Sequence, residues 1–456
     1  MNRASVLFLI TIIFAQSLMA EVVIGSHGEF RVDGKPFFPI MQWMQNHKNM
    51  RRQAGYGINV FSVPGNTITA QGWCDSAQAV GVYACCQYRP EDVESVKNHP
   101  GLFGWFFGDE PDLQGHEVPP DTIRKQYEAI KQADPSHPTF LTLTSRFYSE
   151  TDLPAWMNGS DAFYYEYPKY TDVIGFDLYP VYGWCRPDWI HQVPDATGEL
   201  VQKYVADETK GIYAWIECVN TSSKWCSNSS RGELDGPYPN EIETQVWLSI
   251  IHGAKAIGYF THSWECPGYT QWCVSPEQIE MMTRVNAAIT DLTDVLCGPD
   301  AVDLFDLEVS GIDGNDGRID AFAKVHGDSI YIIAAHVLNF NNAAENQRAE
   351  FTVPFAEGTV RVYGEDRNVA LSAQGTFVDT FSSQKPVHIY TMKTKQSTPV
   401  ISKAVHSHLE ATGQKRTFQV RGRMPKRGSV YNLKGERIPK ERNGRFARQP
   451  VIMTRD

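Results

Sequence analysis

The chain has 456 residues, enough for two or three domains. Its net charge of −11 is unevenly spread: from Lys393 to Asp456, 16 Lys and Arg face 4 Asp and Glu, a balance of +12 that leaves −23 on residues 1–392. An acidic body argues against nucleic acid as a partner, and sets the basic end apart as a module of its own.

Residues 1–20 read as a secretory signal, with Arg3 as the positive charge, Val6 to Phe14 as the apolar segment and Ala20 before the cut. The apolar part is too short to span a bilayer comfortably, and no later run is long and uncharged. A soluble, exported protein with no membrane span is therefore expected. All nine cysteines follow the signal, and export permits disulfides. Their odd number leaves at least one thiol free or paired between chains. Cys218 with Cys226, and Cys266 with Cys273, are close enough in sequence for each pair to staple a loop.

Glu21 to Pro39 reads as a small hairpin around an Asp33-Gly34 turn. Eight apolar runs follow: Phe37–Trp43, Ile58–Val63, Val80–Cys86, Leu102–Phe107, Thr139–Thr144, Val173–Leu178, Ile212–Cys218 and Ala256–Thr261. Helical patterns separate most of them. Ile123, Tyr127 and Ile130 mark one helical face, and Ile242, Val246 and Ile250 another. Ser275-Pro-Glu-Gln278 is a capping box with proline at the first helical position. Buried strands alternating with amphipathic helices imply a parallel sheet, and eight repeats over about 260 residues match a closed (β/α)8 barrel. An open doubly wound sheet would want a glycine-rich phosphate loop after its first strand, and Gln42-Trp-Met-Gln45 is not one.

Past Gly298 the helical patterns stop. Asp303–Ser310, Ile319–Lys324, Ser329–Ala335, Ala349–Val353, Thr359–Tyr363 and Val387–Met392 read as strands, with Gly311 to Gly317 as a turn cluster. The expected division is a barrel over 21–298, a β-sandwich over 299–392, and a linker with a basic β tail over 393–456. In that tail, Val430-Tyr-Asn-Leu433, Gly435, Ile438 and Asn443-Gly444 resemble the C-terminal sorting tails of type IX secretion substrates. A basic tail held on an acidic surface or polymer is the other reading. Either way an association with the cell surface or a secretion system is expected.

The chemistry should lie at the strand ends, because the C-terminal ends of barrel strands project to one mouth. Glu110 follows the fourth run in Gly108-Asp-Glu-Pro111. Tyr179 ends the sixth, Glu217 the seventh and Trp264 the eighth. This layout resembles glycoside hydrolase clan A, barrel enzymes with the acid/base after strand four and the nucleophile after strand seven. The resemblance covers about residues 36–298. It implies a retaining glycosidase acting on a β-linked polysaccharide or oligosaccharide, with Glu110 as acid/base, Glu217 as nucleophile, Tyr179 as its support and Trp264 as a sugar platform. The sequence itself, with no phosphate loop or metal cluster, implies no cofactor. Asp109 departs from the clan's asparagine at that position, and an ionised carboxylate there can only accept a hydrogen bond.

Cleavage of a glycoside needs one carboxylic acid to protonate the departing oxygen and one carboxylate to meet the ring carbon. Trp105 and Phe107 would desolvate Glu110 and raise it as the acid. Trp43, Tyr88, Tyr182, Trp184, Trp225 and Trp272 fall in strand-to-helix loops, where two or three should line a cleft; Trp43 and Trp184 are the choices. Asp177 reads as a brace inside the sixth strand, His262 as a structural hydrogen-bonder, and Glu166 as a surface carboxylate held in reserve. No phosphate loop, metal-ligand spacing or Ser-His-Asp set appears. From another class, a glycan-binding protein that kept the barrel and lost turnover fits the same residues.

Overall fold

The computed structural model describes residues 20–395, apart from 114, 149–160, 208, 222–235, 267–268, 302, 312–317 and 339–346. Nearly all of the signal, most of the Gly311–Gly317 turn, Trp225, Cys226 and almost the whole basic tail lie outside the described residues.

The eight expected runs form eight parallel strands: Ile40–Gln45, Val60–Pro64, Tyr83–Gln87, Leu102–Asp109, Thr139–Thr144, Val173–Asp177, Gly211–Glu217 and Ala256–Phe260. They are called strands one to eight below. The eighth pairs with the first at Ile257 and Ile40, so the sheet closes into a barrel. Alternate side chains divide between two layers, as a strand's period of two requires. In strand seven, Tyr213 and Trp215 pack inside the barrel, whereas Ile212, Ala214 and Ile216 pack in the outer layer with the helices.

The N-terminal segment is a three-stranded antiparallel sheet, Val22–Ile24, Phe30–Val32 and Lys35–Phe37. It plugs the barrel floor. The Phe30 ring stacks on Phe103 at 5.7 Å and on Phe140 at 6.2 Å, both near the N-terminal ends of their strands. Gly211, which opens strand seven, has no room for a Cβ beside Phe30 and Val173 without displacing them by a few tenths of an ångström.

The helix after strand seven, Pro239–Ile251, is buried along its whole length from Glu241 to Ile251. The barrel covers one face, through Ile242 and Val246, and strands of the second domain cover the other. An amphipathic stripe is not needed where both sides are dry. The capping box at Ser275 forms as expected, with Ser275 Oγ accepting from Gln278 N and Gln278 Oε1 accepting from Ser275 N.

The second domain packs a three-stranded sheet against a five-stranded one, all antiparallel, from Asp306–Gly311 to Val387–Thr394. It includes two strands absent from the sequence reading, Arg367–Val369 and Thr376–Phe381. The second was hidden because Asp379 occupies a position between the buried Phe377 and Phe381 and breaks the apolar alternation. Its carboxylate is held there by Arg367 (2.7 Å) and by the Tyr390 hydroxyl (2.9 Å).

A charged clasp joins the two domains. Asp320 of the sandwich accepts from Arg318 at 2.7 Å and bonds His252, at the end of the buried helix, at 2.8 Å; Arg318 also reaches Asp195 on a barrel helix. Burial alone would raise Asp320, but His252 and then Arg318 outweigh it and hold the carboxyl down at about 2. A lowered folded value means that this stabilisation is present above the unfolded value near 4 and is lost as pH falls toward 2. Asp320→Asn is expected to lose about 3–5 kcal/mol near neutrality, and the gap from wild type should narrow at pH 3. Urea unfolding of both proteins at the two pH values measures it.

Cys266 and Cys273 are joined by a disulfide, as the sequence suggested. Cys218 is a free, buried thiol, which corrects the expected pairing with Cys226; strand seven carries Cys218 into the protein interior. Cys185 is disulfide-bonded instead.

Candidate active site

Strand four does not run straight into the mouth. Its register slips between Leu102 and Gly104 against strand three, and between Phe106 and Gly108 against strand five. Bulges of this kind re-aim side chains beside barrel rims. Here they leave Phe103 and Phe106 inside and turn Trp105 and Phe107 into the outer layer. Trp105 donates to Asp134 at 2.8 Å on that outer side. Neither ring therefore desolvates Glu110, which corrects the sequence expectation.

Gly108 follows the second slip, where a Cβ would lie 2.1 Å from Leu141. Glu110 then takes a left-handed backbone, φ +48. A non-glycine residue there is strained, and such strain collects at functional sites. The loop beyond is pinned across the end of strand five. Buried Asp112 accepts from Thr144 N at 2.8 Å, from Thr144 Oγ1 at 2.7 Å and from the Tyr164 hydroxyl at 3.1 Å.

Glu110 N donates to Thr142 O on strand five at 2.9 Å, which seats the residue beside the end of that strand. Asp177, expected to act as a brace, ends strand six opposite Thr144. Burial first, then the charge and direct contact of Glu110, push Asp177 well above the usual carboxylate range, and Asp109 adds to it. Asp109 itself stands open at the rim; the protein around it and then Glu110 raise it to about 7. Asp177 could have been found from parity. Val173 and Gly175 face the barrel interior, so Asp177 must face it too, one step higher and at the mouth.

Glu217 has a different environment. It is fully buried, and its oxygens accept from Val181 N at 3.0 and 3.1 Å, Tyr182 N at 2.6 Å and Gln245 Nε2 at 3.1 Å. Burial raises it to about 7 against those donors. Phe260 pairs with Glu217 on strand eight, and Tyr179 lies two residues beyond Asp177, the partner of Trp215 on strand six. The two rings stack across strand seven at 4.8 Å, both partly exposed. Glu217 thus lies at the level of an aromatic lid and anchors the loop after strand six. Burial first, then the charges of Asp177, Glu110, Asp109 and Glu217, push the Tyr179 hydroxyl well above its usual range.

The other rings divide. Trp43 packs on Phe106 and Trp215, both at 5.4 Å, inside the mouth. Trp264, 57% exposed just before the loop closed by Cys266–Cys273, faces Tyr269 within that loop, 53% exposed, at 5.8 Å. His262 holds that loop, bonding Met44 O at 2.9 Å and the Tyr269 hydroxyl at 3.2 Å, the structural role expected of it. Trp184 packs against Trp189 in the loop after strand six. Tyr88 meets Trp105, and Trp272 meets Tyr56. Glu166 is a surface residue paired with Lys169. Tyr269 and Phe260 escaped the sequence reading. Among the described residues no group of three or more His, Cys, Asp and Glu is arranged to hold a metal ion, and no helix is long and apolar enough to cross a membrane.

No family model matches the chain, and no curated protein matches it. Solved structures do. An endo-1,4-beta-mannanase from Rhizomucor miehei is 14% identical, with 59% of this chain and 99% of that one covered and a TM-score of 0.42. An endo-beta-1,4-mannanase from Thermotoga petrophila is 11% identical over 80% and 97%, at 0.42. A GH30 endoxylanase from Clostridium papyrosolvens is 11% identical over 82% and 100%, at 0.41. At these identities and scores the likeness assigns no role to any residue of this chain.

Proposed function

We propose that the protein is an exported glycoside hydrolase that cleaves a β-linked polysaccharide or oligosaccharide, with Glu110 as acid/base and Glu217 as nucleophile. The observation that carries it is the placement of two carboxyls at the C-terminal mouth of a closed barrel, Glu110 directly after strand four and Glu217 closing strand seven. Flat rings border it: Trp43, the Tyr179–Phe260 stack and the exposed Trp264–Tyr269 pair. Such faces suit sugar rings, and carboxyls supply the proton and the negative charge that glycoside cleavage demands. Attack by Glu217 requires its bonds to the strand-six loop to loosen and the aromatic lid to part. Export, and retention at a surface through residues 393–456, belong to the same proposal; deleting those residues and locating the protein tests it.

The closed setting of Glu217 and the carboxylate at Asp109 favour a second reading, glycan binding without turnover. A panel of aryl β-glycosides and β-linked polysaccharides, assayed with wild type and Glu110→Gln, decides between them. Turnover that falls at least a hundredfold in the variant on unactivated glycans is expected. Binding with no turnover on any substrate would replace the hydrolase with the binding protein.

A further inference from the structure

The chain past strand eight folds back on itself. Ser263 and Thr270 exchange two backbone hydrogen bonds, each of 3.0 Å, so Trp264 and Tyr269 form the next pair along the ladder. Their side chains therefore share one face. Rings as open to water as these add little to folding. Yet the loop that carries them is tied down firmly. Gln271 O accepts from Thr261 Oγ1 at 2.8 Å and from Gln45 Nε2 at 2.7 Å, and Cys273 O accepts from Asn220 N at 2.7 Å. The Gln271 side chain donates to Gly65 O, and a Cβ on Gly65 would lie 2.2 Å from Met44 O. Strand ends one, two and seven are thus all joined to this loop. His262 Nε2 faces Met44 O and so carries the ring hydrogen, which leaves Nδ1 to accept from the Tyr269 hydroxyl. Met44 and Val63, at φ +44 and +52, are left-handed; such strain, greatest at a β-branched residue, collects at functional sites.

The pair is also continuous with the mouth. Tyr179, Phe260, His262, Tyr269 and Trp264 follow one another at ring distances of 4.8, 5.7, 6.0 and 5.8 Å. The path starts at the aromatic lid beside Glu217 and ends in the open. We propose that Tyr269 is a specificity-determining residue: with Trp264 it forms a subsite outside the mouth for a further pyranose of the same β-linked chain, and the Cys266–Cys273 disulfide holds the two rings in place. This rests on the glycosidase reading. The planes of the two rings meet at 45°, so they form a corner that can touch a sugar on its face and its edge. A protein partner needs about 800 Å² on each side, far more than two rings offer. Rings already fixed by the disulfide and by His262 lose little freedom when a sugar binds. Binding energy won there, away from the bond that breaks, can be used at that bond, so the length of the chain is read in kcat/KM.

The test is kcat/KM on di- to hexasaccharides of whichever β-linked glycan the wild type turns over. In Tyr269→Ala the loss should grow with chain length, about three- to tenfold larger on the hexasaccharide than on the disaccharide. Tyr269→Phe keeps the ring and should keep most of the long-chain activity. Cys266→Ser combined with Cys273→Ser opens the loop and should resemble Tyr269→Ala. An equal loss at every length would overturn the proposal and leave the glycosidase reading in place. A second measurement does not depend on turnover. Tryptophan fluorescence is followed during titration with xylan, glucomannan and mixed-linkage β-glucan. At least one of them should shift the emission of wild type, leave Trp264→Phe unshifted, and bind Tyr269→Ala more weakly. If no substrate is turned over but this binding is found, the subsite stands and the glycosidase reading falls. If turnover is found and neither chain length nor fluorescence responds to Tyr269, the subsite falls and the glycosidase reading stands. With neither turnover nor a fluorescence change, both fall.

Discussion

Glu110→Ala should lose about 10²–10⁴ in turnover of substrates with poor leaving groups, while the first step on an activated aryl glycoside survives. The acid helps the leaving group depart and then activates water as a base. An activated group needs little protonation, so the block moves to the second step. Azide attacks a glycosyl-enzyme without a base, and should release a β-glycosyl azide. Glu217→Ala should lose both substrate classes, and any azide rescue should give the opposite anomer. It should also cost stability, because the Val181, Tyr182 and Gln245 donors are left unpaired in a buried place. Each such group costs about 1–3 kcal/mol. Chiral analysis of the azide products and urea unfolding read the two effects. If Glu217→Ala loses stability but keeps turnover, and Asp177→Ala gives the inverted azide, the nucleophile is Asp177 and Glu217 is the loop's anchor.

The second large effect is at the other end of the barrel. Phe30→Ala should destabilise the protein by about 3–5 kcal/mol, since the ring is wholly buried against Phe103 and Phe140 and its neighbours sit on rigid strands that cannot collapse into the gap. The substitution lies at the floor, far from the mouth, so KM should hold at temperatures where the variant is folded. Urea unfolding measures the first statement and steady-state kinetics the second. A loss below about 1 kcal/mol would mean that the N-terminal sheet is not part of the barrel's core.

The barrel was legible because its strands are buried on both faces and read as unbroken apolar runs, and because eight of them repeat with helices between. The mouth was less so. Strand order brings out Glu110 and Glu217 alike, but it cannot tell an open carboxylate from one tied to the amides of a neighbouring loop. That difference depends on where Val181 and Tyr182 fold, and a loop's path leaves no periodic trace. Trp105 and Phe107 were placed wrongly for a related reason. Two bulges in strand four break the period of two on which any inside-or-outside reading rests. Asp177 was legible and was passed over; strand six is regular, and its parity points inward. Thr376–Phe381 hid because a charge pair, Arg367 with Asp379, does the work usually done by an apolar residue.

The helix Pro239–Ile251 gives the two domains a common wall. One side of it belongs to the barrel, the other to the sandwich, and Gln245 on it holds Glu217. A wall shared in this way cannot be divided. Ending the chain at residue 298 would wet the outer side of that helix and remove the Asp320 clasp at its end, so the cut barrel would meet water along a surface shaped for protein. The sandwich is thus no passenger to be exchanged for another module: a change in its packing against this one helix reaches a carboxylate at the mouth through a single glutamine.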